Sequence, residues 1–228
     1  MNCKTKRVLT LFLFSVFMAF AVKGQASSIP ATLEVSYDFT KNVYYGAVKE
    51  PATEFDINLT STGLKLTSYN TYGYCVELTQ EIGNGTYSFN LVNIFDFTDT
   101  TKRDNYFKAA WLMDTYAPGQ GTGMSSDNQY KATAVQGLIW ELTQGTGPVT
   151  NSGTIGSYYS TYKNALSGLT LTDTLKNHLN DTFRIAQNST AQDLIVEVPG
   201  SPVPEPATLL LFGTGLVGLA GLRRKKKA

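Results

Sequence analysis

The sequence predicts an α+β fold: an antiparallel β-sandwich or barrel-like sheet with an inserted helical layer, framed by an N-terminal signal peptide and a C-terminal hydrophobic helix. Three observations predict it. Alternating apolar and polar residues dominate the first half of the chain, apolar stripes of helical period dominate the middle, and a last alternating run closes it. Strands followed by helices and a final strand imply segregated layers. With 228 residues, 42% hydrophobic and 16% charged, the chain is long and apolar enough for one substantial core.

The elements follow in order. Leu33, Val35 and Tyr37 alternate with polar residues, as do Phe55, Ile57 and Leu59, and Leu64 and Leu66 begin another short run. Tyr74 to Leu78 reads as a strand with Tyr74, Val76 and Leu78 on one face and Cys75 and Glu77 on the other. Gly83-Asn84-Gly85 is a turn signal, and Thr86 to Phe95 returns as a strand carrying Tyr87, Phe89 and Leu91 on one side. Helical spacing starts at Asp104, where Tyr106, Ala110, Met113 and Ala117 form one stripe that Pro118-Gly119 ends. A glycine-rich loop leads to a second helix, Asp127 to Thr143, with Ala132, Val135, Ile139 and Leu142 aligned and Ser125, Ser126 or Asp127 as cap. Tyr158 to Leu166 and Asp173 to Phe183 are predicted as further helices, the last with Leu175, Leu179 and Phe183 in line. Leu194, Val196 and Val198 alternate in the closing strand.

The two ends have their own signatures. Lys4, Lys6 and Arg7 precede an apolar run, Val8 to Val22, and Gly24-Gln25-Ala26 supplies small residues, so residues 1–26 read as a signal peptide cleaved after Ala26. The apolar run is short for an uncleaved anchor. Residues 27–198 read as one domain without internal repeats, and residues 199–202 as a spacer. Residues 203–228 combine Pro204-Glu205-Pro206, the glycine-rich apolar stretch Ala207 to Leu222, and the basic end Arg223-Arg224-Lys225-Lys226-Lys227. That order resembles the PEP-CTERM sorting signal of Gram-negative bacteria. The resemblance implies recognition by an exosortase-type membrane protease, with the membrane held through the C-terminal helix before processing. It implies an exported protein, transiently at the inner membrane and then at the cell surface or in the extracellular matrix.

Charge narrows the function. Four of the 19 basic residues lie in the leader and five in the tail, and of the 18 acidic residues only Glu205 is in the tail; the remaining 10 and 17 leave the domain at −7, against +1 for the whole chain. That balance excludes nucleic acid as a partner, because phosphate binding needs a basic face. No Cys/His metal set and no calcium-loop spacing is present, and the Gly119 to Gly123 loop lacks the Lys-Ser/Thr of a phosphate loop, so neither metal nor cofactor is expected.

Removing the leader removes Cys3 and leaves Cys75 alone, so no internal disulfide is possible. A lone cysteine is an inert core residue, a nucleophile, or the partner in some other covalent bond. Tyr74-Cys75-Val76-Glu77 reads aromatic, Cys, aliphatic, acidic, and Val135-Gln136-Gly137-Leu138-Ile139-Trp140 reads Gln, two residues, aliphatic, Trp. The pair resembles the two motifs of bacterial surface thioester domains, over roughly residues 70 to 145. Val135 stands where that family usually has Thr, and Leu138 where Ala is common. The resemblance implies an internal thioester between Cys75 and Gln136, with Tyr74, Glu77 and Trp140 in support. Trp140, one helical turn beyond Gln136, would shield the bond, and Glu77 and Glu141 are candidates for proton transfer. It further implies adhesion through covalent capture of amine-bearing protein or polysaccharide targets, once per molecule and without turnover, hence not an enzyme. Two other readings stand beside it. One is a noncovalent structural or glycan-binding matrix protein, for which 13 tyrosines and Asn/Thr-rich loops speak. The other is a cysteine hydrolase using Cys75 and His178.

Overall fold

The computed structural model describes residues 28–45, 48–145, 149–150 and 152–200. The predicted leader and the C-terminal tail lie outside these residues. Among the described residues, no helix is long and apolar enough to cross a membrane.

The strands are β1 (Ile29–Ser36), β2 (Lys41–Tyr45), β3 (Val48–Ala52), β4 (Phe55–Ser61), β5 (Leu66–Cys75), β6 (Gly85–Val92), β7 (Val149–Thr150), β8 (Phe183–Gln187) and β9 (Leu194–Glu197). The helices are α1 (Thr100–Tyr116), α2 (Ser126–Gln144), α3 (Gly153–Ser167) and α4 (Asp173–Thr182). Six strands close an antiparallel barrel in the order β1-β4-β5-β9-β8-β6, and β3-β2-β7 form a small second sheet. The predicted α+β class and barrel-like sheet are therefore what the chain forms, with the helices inserted between β6 and β8.

Strands β1 and β4 bury alternate residues, as the sequence pattern requires. Ala31, Leu33 and Val35 of β1 are buried while Thr32 and Glu34 are exposed, and Phe55, Ile57, Leu59 and Ser61 line the buried face of β4. Leu33 is directly opposite Leu59 on one side and Tyr87 on the other. Closure abolishes the sheet edges that six strands would otherwise expose.

Helix α2 departs from its predicted single stripe. Every residue from Ala132 to Trp140 is buried, on all sides of the helix. A helix apolar all round belongs in the interior, and here Ala132, Ala134 and Gly137 are small enough for neighbours to approach from every direction. Helix α2 packs against α1, α3, β2, β3 and β5. The Ser125 hydroxyl accepts from Asn128 N (3.3 Å) at its start, and Gly145, at φ +64°, ends it.

Four sequence expectations change. The strand predicted from Tyr74 to Leu78 ends at Cys75, because the backbone beyond is held by side chains and by a loop, as set out below. Gly83 to Gly85 is not a hairpin turn: β5 pairs with β4 and β9, while β6 pairs with β1 and β8, so the turn lies on a crossing of the barrel end. The run from Thr86 toward Phe95 leaves the sheet after Val92 and turns into a short 3-10 segment, Ile94–Asp96. Phe183 is not the last turn of a helix; α4 stops at Thr182, and the buried run Phe183-Arg184-Ile185-Ala186 is strand β8.

Candidate functional site

Cys75 is the last residue of β5, 3% exposed, and is the only free cysteine among the described residues. Gln136 sits in the middle of α2, 1% exposed. Their contact is two-sided. Cys75 N donates to Gln136 Oε1 at 2.9 Å, and Gln136 Nε2 donates to Cys75 O at 2.8 Å. The carboxamide is thus laid flat along the peptide groups of the cysteine, with both polar ends satisfied in a dry interior.

The residues after Cys75 are gripped in the same way. Val76 N donates to Asp193 O (3.0 Å), and Gln144 Nε2, at the end of α2, donates to Val76 O (2.8 Å). Gln192 Nε2 donates to Glu77 O, and Cys75 Sγ donates to Gln192 Oε1 at 2.7 Å. Three glutamines from two separate parts of the chain therefore hold residues 75–77. These bonds replace the sheet ladder, which is why β5 ends where it does.

Tyr74 points to the other side. Its hydroxyl donates to Glu54 Oε2 at 2.6 Å. Glu54 has no exposed surface, and its two oxygens also accept from Gly119 N (3.2 Å), Gln120 N (2.8 Å) and Gly121 N (2.8 Å). Three successive backbone N–H groups form an anion nest, and two of its glycines, Gly119 and Gly121, have φ near +65°. Gly121 is also pressed against the backbone of Asp56, where a Cβ has no room. The glycine-rich loop, which binds no phosphate by sequence, binds a carboxylate of its own chain. It thereby fixes Tyr74 and the strand end that carries Cys75.

Trp140 lies one turn beyond Gln136, is buried, and lines with Cys75, Gln136 and Gln192 a cleft of about 410 Å³. Its indole N–H has no partner among the described residues. The cleft carries Glu50 and Glu81 and, among the described residues, no Lys or Arg. Glu77 faces away from it, into a neighbouring cleft, where its carboxylate accepts from Thr79 Oγ1 (2.9 Å) and Asp193 N (3.0 Å). Glu141 pairs with Lys163 at 2.6 Å and ties α2 to α3. The pair proposed for hydrolysis is not assembled: the His178 side chain is 55% exposed on α4, paired with Asp114 at 3.4 Å, and does not line the cleft of Cys75. Burial pushes the Cys75 thiol well above its ordinary pKa, and the Glu77 carboxylate adds to the rise. Burial and the adjoining Glu54 carboxylate push the Tyr74 phenol up in the same sense.

Among the described residues, the barrel's one cysteine is buried and clasped by a helix glutamine, which sets a thiol-bearing residue against a carboxamide. Comparison with family models agrees: residues 72–174 match the thioester domain, and residues 202–225 match the PEP-CTERM protein-sorting motif. The chain thus carries a C-terminal stretch similar to the PEP-CTERM sorting motif and a region similar to the thioester domain. No curated protein and no solved structure matches it. Sequence reasoning located Cys75, Gln136, Trp140 and Tyr74 and missed Glu54, Gln144 and Gln192. Glu54 had one readable signal, a nest-forming glycine loop in need of an anion; the two glutamines had none.

Proposed function

We propose that this chain is an exported surface or matrix protein that captures amine-bearing targets through an internal Cys75–Gln136 thioester. The carrying observation is the pairing of the Gln136 carboxamide with both backbone groups of Cys75, at 2.9 and 2.8 Å, in a buried site. In this reading the leader is removed after Ala26, residues 27–198 form the exported domain, and the tail beyond Val203 is processed at Pro204-Glu205-Pro206 with Arg223 and Arg224 at its basic end.

The backbone pairing of the Gln136 carboxamide with Cys75 supports ring closure. The Cys75 sulfur attacks Gln136 Cδ, a C–S bond forms, and the C–N bond breaks. The thiol proton leaves with Nε2 as ammonia. Negative charge developing on Oε1 falls on the N–H of Cys75, which already donates to that atom, an oxyanion donor in place before the reaction begins. The departing nitrogen is held by Cys75 O, an acceptor that strengthens its grip as the nitrogen gains positive character. An amide is a poor electrophile and the thiol is held protonated, so proximity must supply much of the drive; effective molarities of about 10⁵ M or more are available to groups fixed in contact. A strand end and a helix interior are rigid supports of that kind.

Once formed, the thioester is a stored electrophile. A primary amine attacks its carbonyl carbon, an amide forms at residue 136, and the Cys75 thiol is released. Glu50 and Glu81 draw a protonated amine to the cleft in preference to an anionic compound; the amine gives up its proton and attacks as the free base. Each molecule reacts once. Methylamine or a lysine derivative should add to the wild-type domain at residue 136, mapped by peptide mass, and to neither Cys75→Ala nor Gln136→Ala. Equal labelling of the three proteins would refute the reading.

A further inference from the structure

Two carboxamides meet Cys75, and they divide it between them. Gln136 takes the backbone N–H and C=O; Gln192, in the loop between β8 and β9, takes the thiol at 2.7 Å. Gln192 is 7% exposed, and both ends of its amide are bonded within the protein. Its Nε2 donates to Glu77 O. That bond fixes which end faces the sulfur: with the nitrogen committed to a carbonyl, Oε1 is the atom left for the thiol. The loop itself is braced. Asn188 Oδ1 accepts from Thr190 N (2.7 Å) and Ala191 N (3.0 Å), and Asn188 N donates to Asp193 Oδ1 (2.8 Å). Asp193 then closes on the far side of the site through Val76 N and the Glu77 carboxylate, each at 3.0 Å.

We propose that Gln192 orients the reacting Cys75 thiol for closure on Gln136. The inference rests on the thioester reading. Without an acceptor, a buried thiol has its other staggered rotamers open, and time spent in them is lost to the reaction. With the S–H bonded to a fixed amide, the sulfur is confined while the helix presents Gln136. Gln192 neither gains nor loses an atom: the thiol proton leaves with ammonia from Gln136, and Gln192 Oε1 loses its donor when the C–S bond forms.

The test uses ammonia as probe. Ammonia reverses closure, restoring the thiol and the carboxamide; after its removal, re-closure of the intact domain is followed by mass. Gln192→Ala should re-close at least about tenfold more slowly than wild type at every pH. Gln192→Glu is the rescue. At about pH 5, a carboxyl buried against a carbonyl oxygen keeps its proton, donates to Glu77 O, and offers its second oxygen to the thiol. It should then re-close within a few-fold of wild type and fall behind as pH rises. Re-closure of Gln192→Ala at the wild-type rate would overturn the proposal, as would Gln192→Glu being as slow as Gln192→Ala at acid pH, the mark of a purely structural contact. Closure that survives Gln136→Ala but not Gln192→Ala would make Gln192 the acyl partner and overturn both assignments. A wild-type chain that never loses ammonia would instead refute the thioester reading itself.

Discussion

Glu54 illustrates how much of this site is decided by single side chains remote from the chemistry. A carboxylate with no exposed surface survives in the interior only because four donors meet it, three of them backbone N–H groups of one loop. Glu54→Ala leaves those donors and the Tyr74 hydroxyl unpaired, and should lower stability by at least about 3 kcal/mol, measured by denaturant unfolding. Gln136→Ala strips the partners from Cys75 N and O and should cost roughly 2 kcal/mol or more besides abolishing amine capture. Cys75 and Gln136 were legible because the chemistry admits few residue types and both motifs are compact. Glu54 was hidden by distance: its three backbone donors lie 65 to 67 residues along the chain, and a glutamate beside a strand reads as a solvated face.

At the scale of elements, the junction of β5 with α2 is the critical one. Gly73, two residues before Cys75, has no room for a side chain; a Cβ there would lie 2.7 Å from Ile57 Cδ1 and 2.8 Å from Ile195 O. Gly73→Ala should destabilise the domain by about 1–3 kcal/mol and reduce the fraction of molecules that lose ammonia, read in one sample by calorimetry and mass. The strands and helices with strong period were legible in the sequence, including β1, β4, α1 and α2. The end of β5 was not, because side chains, not a turn, terminate it. Phe183, the first residue of β8, was misread as the end of α4 because it falls in helical register with Leu175 and Leu179, while the burial of the strand beside Ile195 and Val196 is set by barrel closure. No local pattern contains that information.

The whole molecule couples its site to a tyrosine-rich interior. Burial holds Tyr72, Tyr74 and Tyr106 above the ordinary phenol range and raises Tyr162 to about 12. The folded chain therefore keeps these protons at a pH where the unfolded chain has released them. Their contribution to stability is at its full value below about pH 10 and falls as pH rises above it, a slope that melting temperatures across that range should reproduce. The unreacted Cys75 thiol acts in the same direction from about pH 8.5 upward, and its contribution disappears once sulfur is acylated. The α+β class and the C-terminal stretch that matches the PEP-CTERM motif were readable in the sequence; the closure of the barrel and the site where Gln192 meets Cys75 depend on long-range pairing.

All of these effects bear on the proposed Cys75–Gln136 bond, and the most direct measurement is the intact mass of the purified domain under denaturing, non-nucleophilic conditions. A thioester predicts a mass lower than the sequence by one ammonia and a Cys75 that thiol reagents do not label even when the chain is unfolded. A full sequence mass, with one thiol titrating in the unfolded chain, would contradict the account.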